Sequence, residues 1–255
     1  MIQYLGIWKS FDVPVLRGVD LRVASGETLA LVGPSGTGKS VLLKTTIGLL
    51  APDRGDIRID GVSVVFGGAR ALAAVRRRVG YVFQSAALFD SATVYENVAS
   101  GIPEAELKRL DRRTVANRVA DALEHVNLPV LQVARQRPAE LSGGMRKRVG
   151  IARAFIARPQ IILWDEPVTG LDPVNAAHVH RLIQDLGQEI GATSVVVTHD
   201  VEGALAICDR IALLEGGRIR FAGTPSAFRD SADMLVRSFL QRELDASPAL
   251  AATGD

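Results

Sequence analysis

One short run restricts this chain more than any other feature: Gly33-Pro-Ser-Gly-Thr-Gly-Lys39-Ser40, lodged between the apolar stretch Leu29-Ala-Leu-Val32 and a helical stretch from Val41 to Leu50. Strand, glycine-rich turn and helix, in that order, form the setting in which a loop wraps phosphate. Gly36 and Gly38 let consecutive backbone amides converge, and the helix N-terminus adds partial positive charge. Lys39 is placed to reach β- and γ-phosphates, and the Ser40 hydroxyl to ligate Mg²⁺. Three more unbroken apolar runs, Ile161–Trp164, Ser194–Thr198 and Ile211–Leu214, read as strands buried on both faces. The chain is therefore expected to be α/β, with a parallel sheet.

Around that core the pattern changes twice. Gly18–Val23 and Asp56–Asp60 alternate apolar with polar side chains before turns at Ser25-Gly26 and Asp60-Gly61, which predicts a small antiparallel lobe. From about Ser85 to Pro159 the strand runs vanish and the sequence turns charged and helical, as in Glu104–Val126, which predicts an inserted helical lobe. The expected division is one large domain over 1–225, with the lobe at about 85–159, then an extension over 226–255. In that extension Phe228, Leu235, Phe239 and Leu240 recur at helical spacing between Ala227 and Leu244, and Ala246–Asp255 reads as a small, polar, disordered tail.

Composition narrows the functional classes. A chain 47% hydrophobic and 23% charged can bury a sizeable core. A net charge of +2 gives no footprint for nucleic acid. Arg76–Arg78 read as a solvated face and Arg146–Arg148 as the first turns of a helix. The single cysteine, Cys208, excludes an internal disulfide and reads as a buried, inert thiol in an apolar helix. No run approaches the ~18 apolar residues that span a bilayer, and no charged leader precedes an apolar run, so a cytosolic chain is expected.

Asp165-Glu166, at the end of Ile161–Trp164, offers one carboxylate for Mg²⁺ and a neighbour to polarise a water, with Trp164 in the core. A phosphate loop alone leaves kinases, GTPases, helicases and transport ATPases open, but no Asn-Lys-x-Asp segment for reading guanine occurs. Leu141-Ser-Gly-Gly-Met145, about twenty residues before Asp165, decides among the rest. Ser142 can cap a helix whose positive end exposes the amides of Gly143 and Gly144, which makes a second anion site.

With that motif in that place, the chain resembles the ABC ATPase family from Phe11 to about Thr224. The resemblance implies a P-loop NTPase (RecA-like) parallel-sheet core with an N-terminal antiparallel β lobe and an inserted α-helical lobe. It implies ATP as substrate, with Mg²⁺ held by Ser40, Gln84 and Asp165. Nucleotide contacts fall to Gly33, Pro34, Ser35, Gly36, Thr37, Gly38, Lys39, Ser40 and Val41. Phe11 stacks on adenine, although Trp8 is a neighbouring ring that could serve. Glu166 is the implied general base, His199 holds the γ-phosphate, and Gln84 contacts metal and water and reports to a membrane partner. Ser142, Gly143, Gly144 and Asp172 act across a homodimer, and Asp172-Pro173 is equally a good helix start. His125, His178 and His180 match no motif and read as surface residues. The implied setting is peripheral, on the cytoplasmic face of a bacterial inner membrane, with permease subunits on separate chains and no nucleic acid. ABC proteins of DNA repair or translation carry a long coiled coil, zinc-binding cysteines or tandem cassettes, which one cassette with one cysteine argues against.

Departures within the family narrow the cargo. Met145 replaces the commoner glutamine and is followed by Arg-Lys-Arg-Val-Gly-Ile-Ala-Arg-Ala154. With Gln84-Ser-Ala-Ala-Leu-Phe-Asp90, Val94-Tyr-Glu-Asn-Val-Ala99, Asp165–Pro173 and Asp233–Leu240, this resembles the ATPases of Mla-type, MCE-protein-linked lipid transporters. That resemblance implies phospholipid movement between inner and outer membranes, with an MCE-domain protein and a small STAS-domain protein as partners. The competing expectation is an importer subunit for amino acids, polyamines or ions.

Overall fold

A computed structural model describes residues 1–246. The tail expected over 247–255 lies outside the described residues, and Ala246, expected in that tail, closes the last helix. In chain order the elements are β1 (Ile2–Ser10), β2 (Pro14–Val23), β3 (Thr28–Val32), α1 (Lys39–Thr46), β4 (Arg54–Ile59), β5 (Val62–Ser63), α2 (Gly68–Arg76) and β6 (Val79–Val82). A helical stretch follows: α3 (Val94–Ala99), α4 (Glu104–Leu107), α5 (Arg112–His125), α6 (Val130–Val133), a 3-10 turn (Pro138–Glu140) and α7 (Gly143–Phe155). Then come β7 (Ile161–Asp165), α8 (Pro173–Ile190), β8 (Thr193–Val197), α9 (Val201–Ile207), β9 (Arg210–Glu215), β10 (Arg218–Gly223), α10 (Pro225–Arg229) and α11 (Met234–Ala246). They fall into two compact units, Met1–Leu72 with the chain from Val195, and Ala73–Ser194.

The first unit holds the antiparallel sheet β2-β1-β4-β5 and the strands β10-β9-β3-β8. β3 and β9 run parallel, with Val32 opposite Leu213, whereas β9 and β10 form a hairpin over Gly216-Gly217. β1 carries no clean alternation because a bulge interrupts it: register slips between Tyr4 and Ile7, and Gly6 sits at φ +57°. The bulge returns Ile7 to the buried face that Ile2 and Tyr4 already share. Behind the parallel strands Val32, Leu213, Val201, Leu205, Phe228, Val236 and Phe239 pack as one buried cluster. The single C-terminal helix expected from Ala227 is two helices. Between them the Asp233 backbone N–H donates to Ser231 Oγ and Asp233 Oδ1 accepts from Leu235 N–H, a local hydrogen-bonding alternative to continued helix.

The second unit pairs β6 with β7 in parallel, Val82 opposite Trp164, and also holds α3–α8. Trp164 is fully buried and donates its indole N–H to Ser194 Oγ at 3.3 Å, a core role as expected. α3 starts from a capping box, with Thr93 Oγ1 accepting from Glu96 N–H and Glu96 reaching back to Thr93 N–H. Its buried Asn97 satisfies Phe89 N–H and C=O together with the carbonyls of Ala92 and Thr93. That side chain anchors the far end of the loop leaving β6.

Tyr4 joins the antiparallel sheet to α1. Thr46 Oγ1 gives its hydrogen to Leu42 C=O, so the Tyr4 hydroxyl donates to Thr46 across 2.8 Å. Complete burial pushes the Tyr4 phenol up to about 12. A raised folded pKa makes the native state hold its proton while unfolded tyrosine, near 10, releases it, so stability is full below ~10 and falls as pH rises towards 12. Between pH 9 and 11.5 the wild type should lose about 2 kcal/mol more than Tyr4→Phe, since each tenfold difference in proton affinity between folded and unfolded chain is worth about 1.4 kcal/mol. Urea midpoints of both proteins at the two pH values check this.

Candidate functional site

In the first unit the glycine-rich loop leaves β3 at Gly33, where φ is +150° and an added Cβ would stand 2.1 Å from Leu214 C=O. Gly38, at φ +100°, would drive a Cβ to 2.7 Å from Val15 Cγ1. Both positions therefore admit only glycine. Lys39 is buried, and its ammonium turns back over the loop to donate to the carbonyls of Gly33 (2.7 Å) and Pro34 (3.1 Å). Thr37 Oγ1 donates to Pro34 C=O at 2.8 Å. The cap position of α1 is Gly38, which offers no side chain to the first-turn amides, the arrangement that leaves a helix N-terminus to an anion. Ser35 and Gly36 are exposed, and Ser40 is half-buried in the first turn of α1.

His199 shares that edge. Thr198 N–H donates to Leu31 C=O, so the end of β8 lies beside the end of β3, and His199 follows as an exposed side chain. Of the two candidate adenine platforms, Trp8 rests its indole within 3.2 Å of where a Gly18 Cβ would stand, whereas Phe11 is 57% exposed with the Lys9 ammonium 5.6 Å from its ring centre. Both rings are exposed, Phe11 the more so.

In the second unit the register of β6 with β7 makes Gln84 and Asp165-Glu166 leave the same end of the strand pair. Gln84 is exposed, and the next turn holds Ala86 and Ala87 at φ +62° and +46°. Asp165 is buried, and its Oδ2 accepts from the Tyr81 hydroxyl at 2.9 Å. Mg²⁺ takes hard oxygen ligands, draws most of them from phosphate and water, and needs one or two from protein. The buried Asp165 carboxylate of this unit and, separately, the Ser40 hydroxyl of the first unit are each an oxygen donor of the type that suits the ion. Glu166 is also buried, its backbone left-handed at φ +52°, and its Oε2 accepts from Thr169 Oγ1 at 2.9 Å. A non-glycine residue there stores about 1–3 kcal/mol, which surrounding contacts must offset.

α7 begins where the sequence placed the second anion site. Ser142 caps it, accepting from Met145 N–H at 3.2 Å, and Ser142 and Gly143 are exposed at the positive end of a 13-residue helix. Asp172 caps α8. Its carboxylate accepts from both the side chain and the backbone of Asn175, which hold it below the usual aspartate range. The Asn175 amide also lies 3.5 Å from where a Gly144 Cβ would stand.

Sequence reasoning missed what the cations of α7 do. Lys147 donates to the carbonyls of Glu166, Pro167 and Thr169, Arg148 to Asn127 C=O, and Arg153 to the carbonyls of Ala86 and Ala87. Burial lowers the pKa of all three. Arg76 and Arg77 are exposed, as expected of a solvated face, and they border an open groove of about 430 Å³ with Tyr81, Phe83, Phe89 and Arg153. The sequence reading expects a groove for a permease helix around Gln84 and Tyr95, and neither residue lines this one. Nor is His125 a plain surface residue: its ring packs on Phe155 and hydrogen-bonds Asp121 C=O and Glu189. Cys208 caps α9 rather than lying inside it, and burial pushes its thiol up to about 11, as an inert thiol requires.

Residues 16–169 match the model of the ABC transporter family. The chain belongs to that family. This ABC subunit is 40% identical over 240 residues to a probable ribonucleotide transport ATP-binding protein of Mycobacterium leprae, covering 94% of this chain and 68% of that one. It is 41% identical to a methionine import ATP-binding protein of Thermobifida fusca (90% and 70%) and 42% to a sulfate/thiosulfate import ATP-binding protein of Caulobacter vibrioides (86% and 62%). The chain thus spans about two thirds of the length of these relatives. Among solved structures it is similar to the dimeric, post-hydrolysis state of the ATP-binding cassette MJ0796 bound to ADP and Pi. That likeness has a TM-score of 0.81 at 31% identity, over 88% of this chain and 99% of that one. The subunit has the P-loop NTPase fold and is an ABC-type ATPase that uses ATP with Mg²⁺. Ser142→Ala is expected to cost about 1 kcal/mol and Ser142→Gly only a few tenths, as for other helix caps. Chemical denaturation without nucleotide measures both.

Proposed function

We propose that this ABC ATPase powers phospholipid transport through a separate permease, working as a homodimer linked to an MCE-domain protein and a STAS-domain protein. The observation that supports a dimer is the exposed Ser142–Gly143 end of α7, an anion site on a surface. By resemblance, the γ-phosphate it receives comes from ATP bound to the opposite subunit. Lys39 and the amides from Gly33 to Val41 would bind phosphate, Phe11 the adenine, and Ser40, Asp165 and Gln84 the metal. Mg²⁺, when bound, would neutralise charge on the β- and γ-oxygens. Glu166 would take a proton from the attacking water, His199 would hold the γ-phosphate, and Asp172 would act across the dimer. The groove at Phe83 and Phe89 would receive a permease helix, with Gln84 between those two aromatic positions in sequence. The setting that goes with this reading is the cytoplasmic face of a bacterial inner membrane. No helix among the described residues is long and apolar enough to cross one.

Lipid as cargo rests on Met145 and the basic run after it, together with Asp233–Leu240. The names of the relatives divide among ribonucleotide, methionine and sulfate or thiosulfate, which supports a second reading as an importer subunit. Purification of the tagged complex in mild detergent, with mass spectrometry of bound proteins and lipids, separates the two. An MCE-domain protein with phospholipid is expected, and a solute-binding protein without lipid would make the cargo that of an importer.

The residue roles have their own test. Glu166→Gln should bind ATP, form a stable ATP-dependent dimer and turn over at least about a hundredfold more slowly, in line with loss of a general base. Lys39→Ala should bind ATP too weakly to dimerise. Steady-state ATPase rates and size-exclusion profiles with and without ATP read both outcomes.

A further inference from the structure

Lys147 has no part in nucleotide binding among the roles proposed for this subunit, yet its surroundings are specific. It lies on α7 just past the Ser142 cap and is half-buried. A lysine ammonium has three N–H donors and no acceptor. Three carbonyls receive them: Glu166 at 3.3 Å, Pro167 at 3.1 Å, and Thr169 closer still.

Those carbonyls belong to the turn that leaves β7, and the same turn holds Glu166 in its left-handed conformation. Strand hydrogen bonds end at Asp165; within the turn Thr169 N–H donates to Glu166 C=O at 3.4 Å and Leu171 N–H to Val168 C=O at 3.1 Å, and Lys147 adds its donors at Glu166, Pro167 and Thr169. Thr169 contributes from the other side, its hydroxyl on the Glu166 carboxylate. The backbone of Glu166 is thus fixed by an ammonium and its side chain by a hydroxyl. Lys147 touches the backbone of the turn, and the Glu166 charge in turn favours its ammonium form against the desolvation that opposes it.

We propose that Lys147 is a positioning residue for ATP hydrolysis: by gathering the carbonyls of Glu166, Pro167 and Thr169 it keeps the Glu166 carboxylate aimed at the attacking water. The inference rests on Glu166 being the general base. It differs from any role of α7 through Ser142, because that route acts on phosphate capture and therefore on dimer formation.

The full-length chain decides between them. Lys147→Met keeps the apolar stem and removes all three donors; it should lower kcat about tenfold or more with KM for ATP within about twofold. Lys147→Arg, which restores charged donors, should recover part of that loss, as a purely steric role would not. In a Glu166→Gln background, Lys147→Met should leave ATP-driven dimerisation unchanged. Wild-type kcat in Lys147→Met overturns the proposal, and so does loss of ATP-driven dimerisation in the double variant, which would assign the effect to the anion site. If Lys147→Met does not fold, Lys147→Gln, with two donors, takes its place; an intermediate kcat supports the proposal and a wild-type value refutes it. The two readings fail separately: a Glu166→Gln variant of normal turnover removes the general base and the clamp with it, whereas a slow Glu166→Gln beside a normal Lys147→Met removes only the clamp.

Discussion

Backbone carbonyls that lose their ladder partners where buried strands end set the terms for the rest of this molecule. A parallel strand buried on both faces delivers its last residues into a loop, and each unpaired carbonyl there costs free energy until something donates to it. Both units meet this demand with lysine. Lys39 covers the carbonyls of Gly33 and Pro34 after β3, and Lys147 covers those of Glu166, Pro167 and Thr169 after β7. Arg153 does the same for Ala86 and Ala87 after β6. Each of these three loops has a cation donating to its carbonyls, and cations are what a phosphate-bearing ligand competes for.

Much of this was legible in the sequence because it is local. The runs Leu29–Val32, Ile161–Trp164, Ser194–Thr198 and Ile211–Leu214 are strands or strand ends, and Ser142 and Asp172 cap helices as their spacing suggests. Three features resisted for physical reasons. β1 was hidden by the bulge at Gly6, which breaks period two. β6 has only four residues, Val-Gly-Tyr-Val, too few for a period to register. The break between α10 and α11 depends on Ser231 and Asp233 hydrogen-bonding their own backbone, which hydrophobic spacing does not encode.

The site divides along the same line. Identity and order of the motif residues could be read directly, since each type of chemistry demands its own side chain. The duties of Arg146–Lys147–Arg148 could not, because a basic run on a helix looks the same whether it faces water or backbone. Here Arg148 reaches the Asn127 carbonyl from the same helix that leaves its N-terminus exposed. Tyr81 is a similar case: nothing in Val79–Val82 announces that its hydroxyl meets a carboxylate 84 residues away.

Cys208 has a practical consequence. Its thiol sits half-buried at the end of α9, and burial pushes its pKa up to about 11, so at neutral pH it holds its proton and presents little thiolate, the reactive species. As the only cysteine of the chain it leaves a chemically quiet background. A second cysteine placed at an exposed site such as Phe89 or Met234 would react with a maleimide orders of magnitude sooner, so spin labels and fluorophores could be attached selectively without first engineering the native thiol away.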